Sequence, residues 1–173
     1  MDLLQRFKKV RVFMFDIDGV LTNGDILVLE SGEMARVMNT KDGYALQLAV
    51  KHGYKIIIIS GSAPSATQLR LNRLGIEEVH FQVKDKKVFV AALMEKRNMN
   101  AEEVLFMGDD LPDLPVFDLV SVSCCPADAV GDVQRAAQFV SIFPGGRGCV
   151  REVIEKVLRA NDQWGVEPLI AST

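Results

Sequence analysis

Val10–Val20 reads VRVFMFDIDGV, and the fold turns on this stretch. From Val10 to Phe15 every residue but Arg11 is apolar, which leaves neither face of a strand for water and so predicts a strand inside a sheet covered on both sides. The apolar run stops at Asp16, and Asp18 and Gly19 follow. A buried strand therefore delivers two carboxylates to its carboxyl end, the edge at which open α/β sheets bind ligands. Residues two apart on a strand face the same way, but a loop beginning at Asp18-Gly19 can turn the second carboxylate over the first. One can then attack while the other handles protons. Taken alone, the same residues also suit a plain turn at Asp18-Gly19 with Asp16 capping a helix.

Further along the chain, Lys55–Ile59, Val104–Met107, Val120–Ser123 and Phe139–Ile142 are apolar, β-rich runs of the same kind. Helical patterns separate them. Tyr44–His52 has apolar residues at helical spacing with Asp42 as predicted N-cap and Gly53 as terminator; a second helix follows Pro64 and ends at Gly75. Lys86–Arg97 follows Asp85, and Val150, Val153, Ile154, Val157 and Leu158 form one apolar stripe near the end of the chain. Strands alternating with helices predict an α/β fold, a doubly wound parallel sheet in one domain spanning residues 1–173. Residues 24–39 break the alternation, because Asp25–Glu30 and Glu33–Asn39 read as two strands joined at Ser31-Gly32. Ile26 to Leu29 make both faces of that hairpin apolar, which calls for a cover: a second subunit, or the protein's own sheet. The tail, residues 163–173, has no clear period and is expected to fray.

Three further polar groups fall at predicted strand ends or helix starts. Ser60-Gly61 closes the second core strand ahead of a helix, where a hydroxyl and backbone N–H groups can hold a phosphate oxygen. Gly108-Asp109-Asp110 with Asp113 brings more carboxylates to the same edge, and acids gathered there repel one another unless a cation lies between them. Oxygen ligands from Asp16, Asp109 and a backbone carbonyl suit magnesium. Lys84, Lys86 and Lys87 crowd the start of the third helix, where a cation opposes the helix dipole.

The order acid pair, serine, lysine, acid cluster resembles the haloacid dehalogenase superfamily of phosphatases, whose motifs are D-x-D-G, a Ser or Thr, a Lys, and G-D-D-x-x-D. Asp16–Thr22 (DIDGVLT), Lys41–Tyr44 (KDGY), Gly108–Leu114 (GDDLPDL) and Gly145–Glu152 (GGRGCVRE) are similar, within it, to the 3-deoxy-D-manno-octulosonate 8-phosphate phosphatase family. The resemblance implies that Asp16 is the nucleophile and Asp18 the general acid and base. It further implies a phosphate site of Ser60, Gly61 and Lys87, magnesium held at Asp16, Asp18 and Asp109, and Asp110 and Asp113 supporting them. Lys87 comes from counting along the family pattern from Phe81-Gln82, which puts Val83 where the family has glycine. Arg70 falls where the family carries an arginine, so Arg70, Thr22 and Arg147 are candidates for the substrate, a small phosphorylated keto-sugar acid. Ser62 replaces a frequent family arginine, which bears on the choice between eight-carbon and nine-carbon acids such as 2-keto-3-deoxynononate or sialic acid 9-phosphate. With only the hairpin between Asp18 and Ser60, no large cap domain is expected, and the resemblance implies a homotetramer formed through the hairpins.

Composition excludes other classes. A net charge of −3 over 173 residues offers no basic surplus for nucleic acid or an anionic membrane. The longest apolar run is far short of a bilayer span and the N-terminus has no signal-peptide pattern, so a cytoplasmic protein is expected. Cys124, Cys125 and Cys149 are expected to be free thiols. A response-regulator receiver uses similar residue types, but its phosphorylated Asp lies on a middle strand, where this chain has Ser60. A catalytically silent assembly module has no need for four polar motifs in order.

Overall fold

The computed structural model describes residues 2–167. At its centre β1 (Val12–Phe15) runs parallel to both β4 (Lys55–Ile59) and β6 (Val104–Met107), with Phe15 opposite Ile58 on one side and Met107 on the other. The sheet extends through β5 (Val79–His80) beyond β4, and through β7 (Val122–Cys125) and β8 (Phe139–Val140) beyond β6. Its order is β5-β4-β1-β6-β7-β8, all parallel. From β1 the chain winds outward to β5 and returns to β6, so the order reverses beside β1. This is the topological switch point, and the register brings Asp16, Ser60 and Asp109 to its mouth together.

Alternate side chains of each strand feed two apolar layers. Phe13, Phe15, Ile56, Ile58, Leu105 and Met107 pack beneath α1 (Leu3–Lys9), α2 (Thr40–Lys51), α3 (Ala66–Arg73) and α6 (Cys149–Ala160). Val12, Met14, Ile57, Ile59, Val104 and Phe106 face α4 (Lys86–Lys96) and α5 (Gly131–Ala136). The four inner strands are buried on both faces, as the unbroken apolar runs predict, while the edge strands β5 and β8 are half-buried or exposed.

Several boundaries differ from the sequence reading. β7 begins at Val122 rather than Val120, because a 3-10 segment, Leu114–Leu119, comes just before and Val122 is the residue that pairs with Leu105. α2 starts at Thr40 and is capped by Asn39, whose Oδ1 accepts from Lys41 N at 2.8 Å. Asp42 lies within the helix, and its carboxylate, 2% exposed, accepts from Gly148 N (3.1 Å) and Arg151 N (2.7 Å) at the start of α6. It caps a helix more than a hundred residues away, a role no local pattern reveals. α1, capped by Asp2 and anchored by Phe7 edge-on to Phe139, is too short to leave a periodic trace.

The hairpin forms, with a shorter ladder than expected: β2 (Leu27–Val28) pairs antiparallel with β3 (Met34–Ala35), and a bridge joins Thr22 to Met38. Ile26, Leu27, Val28, Leu29, Met34 and Val37 are exposed, so within one chain the sheet does not cover them. No helix among the described residues is long and apolar enough to cross a membrane. The three cysteines are buried and unpaired.

Candidate active site

Asp16 ends β1 with its N–H on Met107 O at 3.1 Å, and its side chain turns into the mouth of the sheet, where the residue is 6% exposed. The chain then makes one wide turn, Ile17–Leu21, closed by Thr22 N on Ile17 O at 3.0 Å. Gly19 is required here for two reasons. Its φ of +89° lies in the left-handed region, and a Cβ would come within 2.0 Å of Asp109 Oδ2. Thr22 is fully buried, and its hydroxyl donates to Ile17 O and accepts from Gly19 N and Gly24 N. It braces the turn and does not face a substrate, contrary to the sequence expectation.

Asp16, Asp109 and Asp113 each offer a carboxylate oxygen within 4.8 Å of the others. Asp113, 1% exposed, is fully engaged: Oδ1 accepts from Lys86 Nζ at 2.5 Å and Oδ2 from the N–H groups of Asp109 (3.1 Å) and Asp110 (3.3 Å). Lys86 Nζ also lies 2.8 Å from Asp16 Oδ1. Three carboxylates against one ammonium leave two negative charges, and the acids register it. Burial, then the repulsion of Asp113, pushes Asp16 up to about 7 against the pull of Lys86. Burial, then Asp16 and Asp113, pushes Asp109 up to about 8. Hard oxygen donors with a deficit of two charges fit one divalent cation, and Asp16 and Asp109 are the pair left to hold it.

The lysine in this site is Lys86, not Lys87. Asp85 caps α4, its Oδ1 accepting from Val88 N at 2.9 Å, so Lys86 and Lys87 are successive helical residues and point in different directions. Lys86 is 6% exposed, whereas the Lys87 side chain lies on the surface, 3.2 Å from exposed Asp118. The left-handed position ahead of the helix is Gln82, φ +56°, so Gln82 rather than Val83 stands where glycine is favoured and the family spacing falls on Lys86. Helical spacing carried the answer, since Lys86, Val90 and Leu93 lie four and three apart on the buried face.

Ser60, 1% exposed, sits at the end of β4 with Oγ 2.7 Å from Ser62 Oγ and accepting from Ser62 N at 3.1 Å. A cleft of about 340 Å³ is lined by Asp16, Asp18, Ser60, Gly61, Lys86 and Asp109, with Ser62, Asp110 and Asp113 also on its walls. Asp110 is exposed and accepts from Leu111 N at 2.7 Å. Arg70 and Arg147 are outside this cleft. Arg70 lines a neighbouring groove with Arg36 and Thr67; Arg147 lines another, with Lys41 and Arg151. The Gly145-Gly146 backbone lies against the catalytic turn instead: a Cβ on Gly145 would sit 1.9 Å from Gly19 O, and one on Gly146 2.5 Å from Asn23 N.

Asp18 is not part of the acid cluster. Its carboxylate is gripped by Arg36, with Nε 2.5 Å from Oδ1 and Nη2 3.2 Å from Oδ2. Arg36, at the end of β3, bears no mark in the sequence, because only the fold of the hairpin brings it to the D-x-D turn.

A family model for haloacid dehalogenase-like hydrolases matches residues 77–144, which hold Lys86 and Asp109–Asp113. The 3-deoxy-D-manno-octulosonate 8-phosphate phosphatase of Yersinia pestis is 34% identical over 162 residues, 94% of this chain and 87% of the relative. The chain belongs to the haloacid dehalogenase-like hydrolases. A crystal structure of the same phosphatase from Yersinia pestis superposes on this hydrolase with a TM-score of 0.89 at 34% identity, covering 93% of this chain and 87% of that one. A second, from Moraxella catarrhalis, is described in complex with magnesium, phosphate and KDO; it superposes with a TM-score of 0.87 at 27% identity, covering 91% and 90%.

Proposed function

We propose that this hydrolase removes phosphate from 3-deoxy-D-manno-octulosonate 8-phosphate by way of an aspartyl-phosphate on Asp16. The observation that carries this reading is the convergence of Asp16, Lys86, Asp109 and Asp113 at the switch point of the sheet, in a chain 34% identical to the Yersinia pestis phosphatase of that substrate. On the same reading Asp16, Asp18, Ser60, Gly61, Asp109, Asp110 and Asp113 take the roles expected from sequence, with Lys86 in place of Lys87, whereas Thr22, Arg70 and Arg147 do not line the cleft.

Lys86 engages Oδ1 of Asp16, which leaves the other oxygen to attack phosphorus. The new O–P bond forms as the bond from phosphorus to the sugar oxygen breaks, and Asp18 gives its proton to that oxygen. Water then attacks phosphorus, Asp18 takes its proton, and the Asp16 carboxylate leaves. Lys86, Ser60 and the N–H groups after Ser60 face the charge on the transferring oxygens. Asp16 and Asp109 would hold magnesium, which when bound would supply further positive charge against the phosphate.

The exposed apolar hairpin supports association through hairpins into a homotetramer, with a neighbour narrowing a cleft that is open in the single chain. Buried free thiols suit the cytoplasm. The test compares phosphate release from the eight-carbon and nine-carbon keto-sugar acid phosphates, with magnesium and with EDTA. A kcat/KM preference for the eight-carbon ester, abolished by EDTA, is expected. Preference for the nine-carbon ester would keep the chemistry and replace the substrate, with Ser62 on the cleft wall as the residue to examine; no magnesium-dependent release from either would overturn the reading.

A further inference from the structure

Arg36 belongs to an element that is otherwise turned to solvent, yet its side chain is only 8% exposed. Along residues 35–38 burial alternates: Arg36 and Met38 point at the body of the protein, while Ala35 and Val37 are exposed. Met38 packs on the core and pairs with Thr22, which fixes Arg36 two residues earlier directly over the catalytic turn. There the guanidinium meets Asp18 with two parallel contacts, 2.5 Å and 3.2 Å, the two-pronged geometry for which arginine is suited and lysine is not.

Without that grip the Asp18 carboxylate has Asp16 and Asp109 as neighbours in the same cleft. Like charges disperse, so an untethered Asp18 has no fixed position against the leaving oxygen, and general acid catalysis needs a fixed one.

We propose that Arg36 is the positioning residue for Asp18: it holds the acid and base of the reaction at a set place and angle, from the hairpin. The proposal rests on the role of Asp18 given above. Because Arg36 stands on the hairpin, whatever fixes the hairpin also fixes the acid.

The test separates proton donation from the rest of the reaction by the choice of leaving group. An alkyl phosphate, such as the sugar ester, needs a proton on its departing oxygen; p-nitrophenyl phosphate does not. In single-turnover measurements Arg36→Gln is expected to slow alkoxide departure by about 30-fold or more, part of the roughly 100-fold to 10,000-fold that a placed acid supplies. The p-nitrophenolate burst should stay within about 3-fold. Arg36→Lys, with charge but one prong, should fall between wild type and Arg36→Gln, and it carries the same comparison if the glutamine variant does not fold. In an Asp18→Asn background, Arg36→Gln should add no further loss with the alkyl ester, since the two residues act as one unit. Equal slowing of both substrates, no slowing of either, or full additivity with Asp18→Asn would each overturn the proposal. A wild type that releases phosphate from no ester would overturn the assigned function instead, so the two failures are distinguishable.

Discussion

Replacing Lys86 and Lys87 separately by Met asks which lysine serves the reaction. Lys86 is 6% exposed and touches two carboxylates, at 2.8 Å and 2.5 Å. Removing a preorganised charged donor from the site costs about 2.7–4 kcal/mol of transition-state stabilisation, a loss of about 100-fold to 1,000-fold in kcat. The variant also leaves Asp16 and Asp113 buried without their counter-charge. Breaking a buried pair costs about 3–5 kcal/mol of stability, and the lower end applies here because Asp16, pushed up to about 7, readily takes a proton instead. Lys87 meets only exposed Asp118 at 3.2 Å, a pair of the kind worth about 0–1 kcal/mol. Lys87→Met should keep wild-type turnover within about 2-fold and unfold at nearly the same urea concentration. The assay is phosphate release at saturating magnesium, with urea unfolding in parallel. Loss of activity in Lys87→Met with activity retained in Lys86→Met would refute the placement of α4 and the reasoning built on it.

Magnesium affinity should rise with pH. Without metal, burial and mutual repulsion push Asp16 up to about 7 and Asp109 up to about 8, above their unfolded values, so the metal-free native state holds extra protons between about pH 4 and 8 and loses stability as pH rises through that window. Magnesium displaces those protons, so calorimetry should find tighter binding, and a larger metal-induced rise in Tm, at about pH 8.5 than at about pH 6; equal affinity at both would contradict the charge argument. Gly145→Ala should abolish turnover, because its methyl would lie 1.9 Å from Gly19 O and must displace the catalytic turn; an active variant would show that the turn tolerates displacement. Asp42→Ala strands the N–H groups of Gly148 and Arg151 and should cost about 1–3 kcal/mol in urea unfolding, a value near zero being the contrary result.

The four inner strands were legible because they are apolar on both faces, a pattern that local sequence fixes by itself, whereas two-residue β5 (Val79–His80) carries no such run and the sequence reading has no strand there. Asp16, Ser60 and Asp109 were legible for the same reason, since each lies within two residues of the end of an apolar run. What could not be read depends on contacts between distant segments. The capping of α6 by Asp42 and the grip of Arg36 on Asp18 span 106 and 18 positions in the chain, and neither leaves a local trace. Lys86 is the intermediate case: its helical spacing with Val90 and Leu93 marks it as inward, but the positive φ that fixes the family spacing belongs to Gln82 and not Val83, and no residue type at either position reveals that. Thr22 and Arg147 have the polarity of substrate ligands, yet burial of the first and the location of the second, in a groove with Lys41 and Arg151, remove them from the cleft.

The central claim is that Asp16 carries the phosphoryl group. Rapid acid quenching of a single turnover with labelled substrate, followed by borohydride reduction and peptide mass spectrometry, tests it most directly. Transient label is expected on the peptide bearing Asp16, with homoserine at that position after reduction and neither in Asp16→Asn; rapid phosphate release with no modified Asp16 at any quench time would rule out the covalent route.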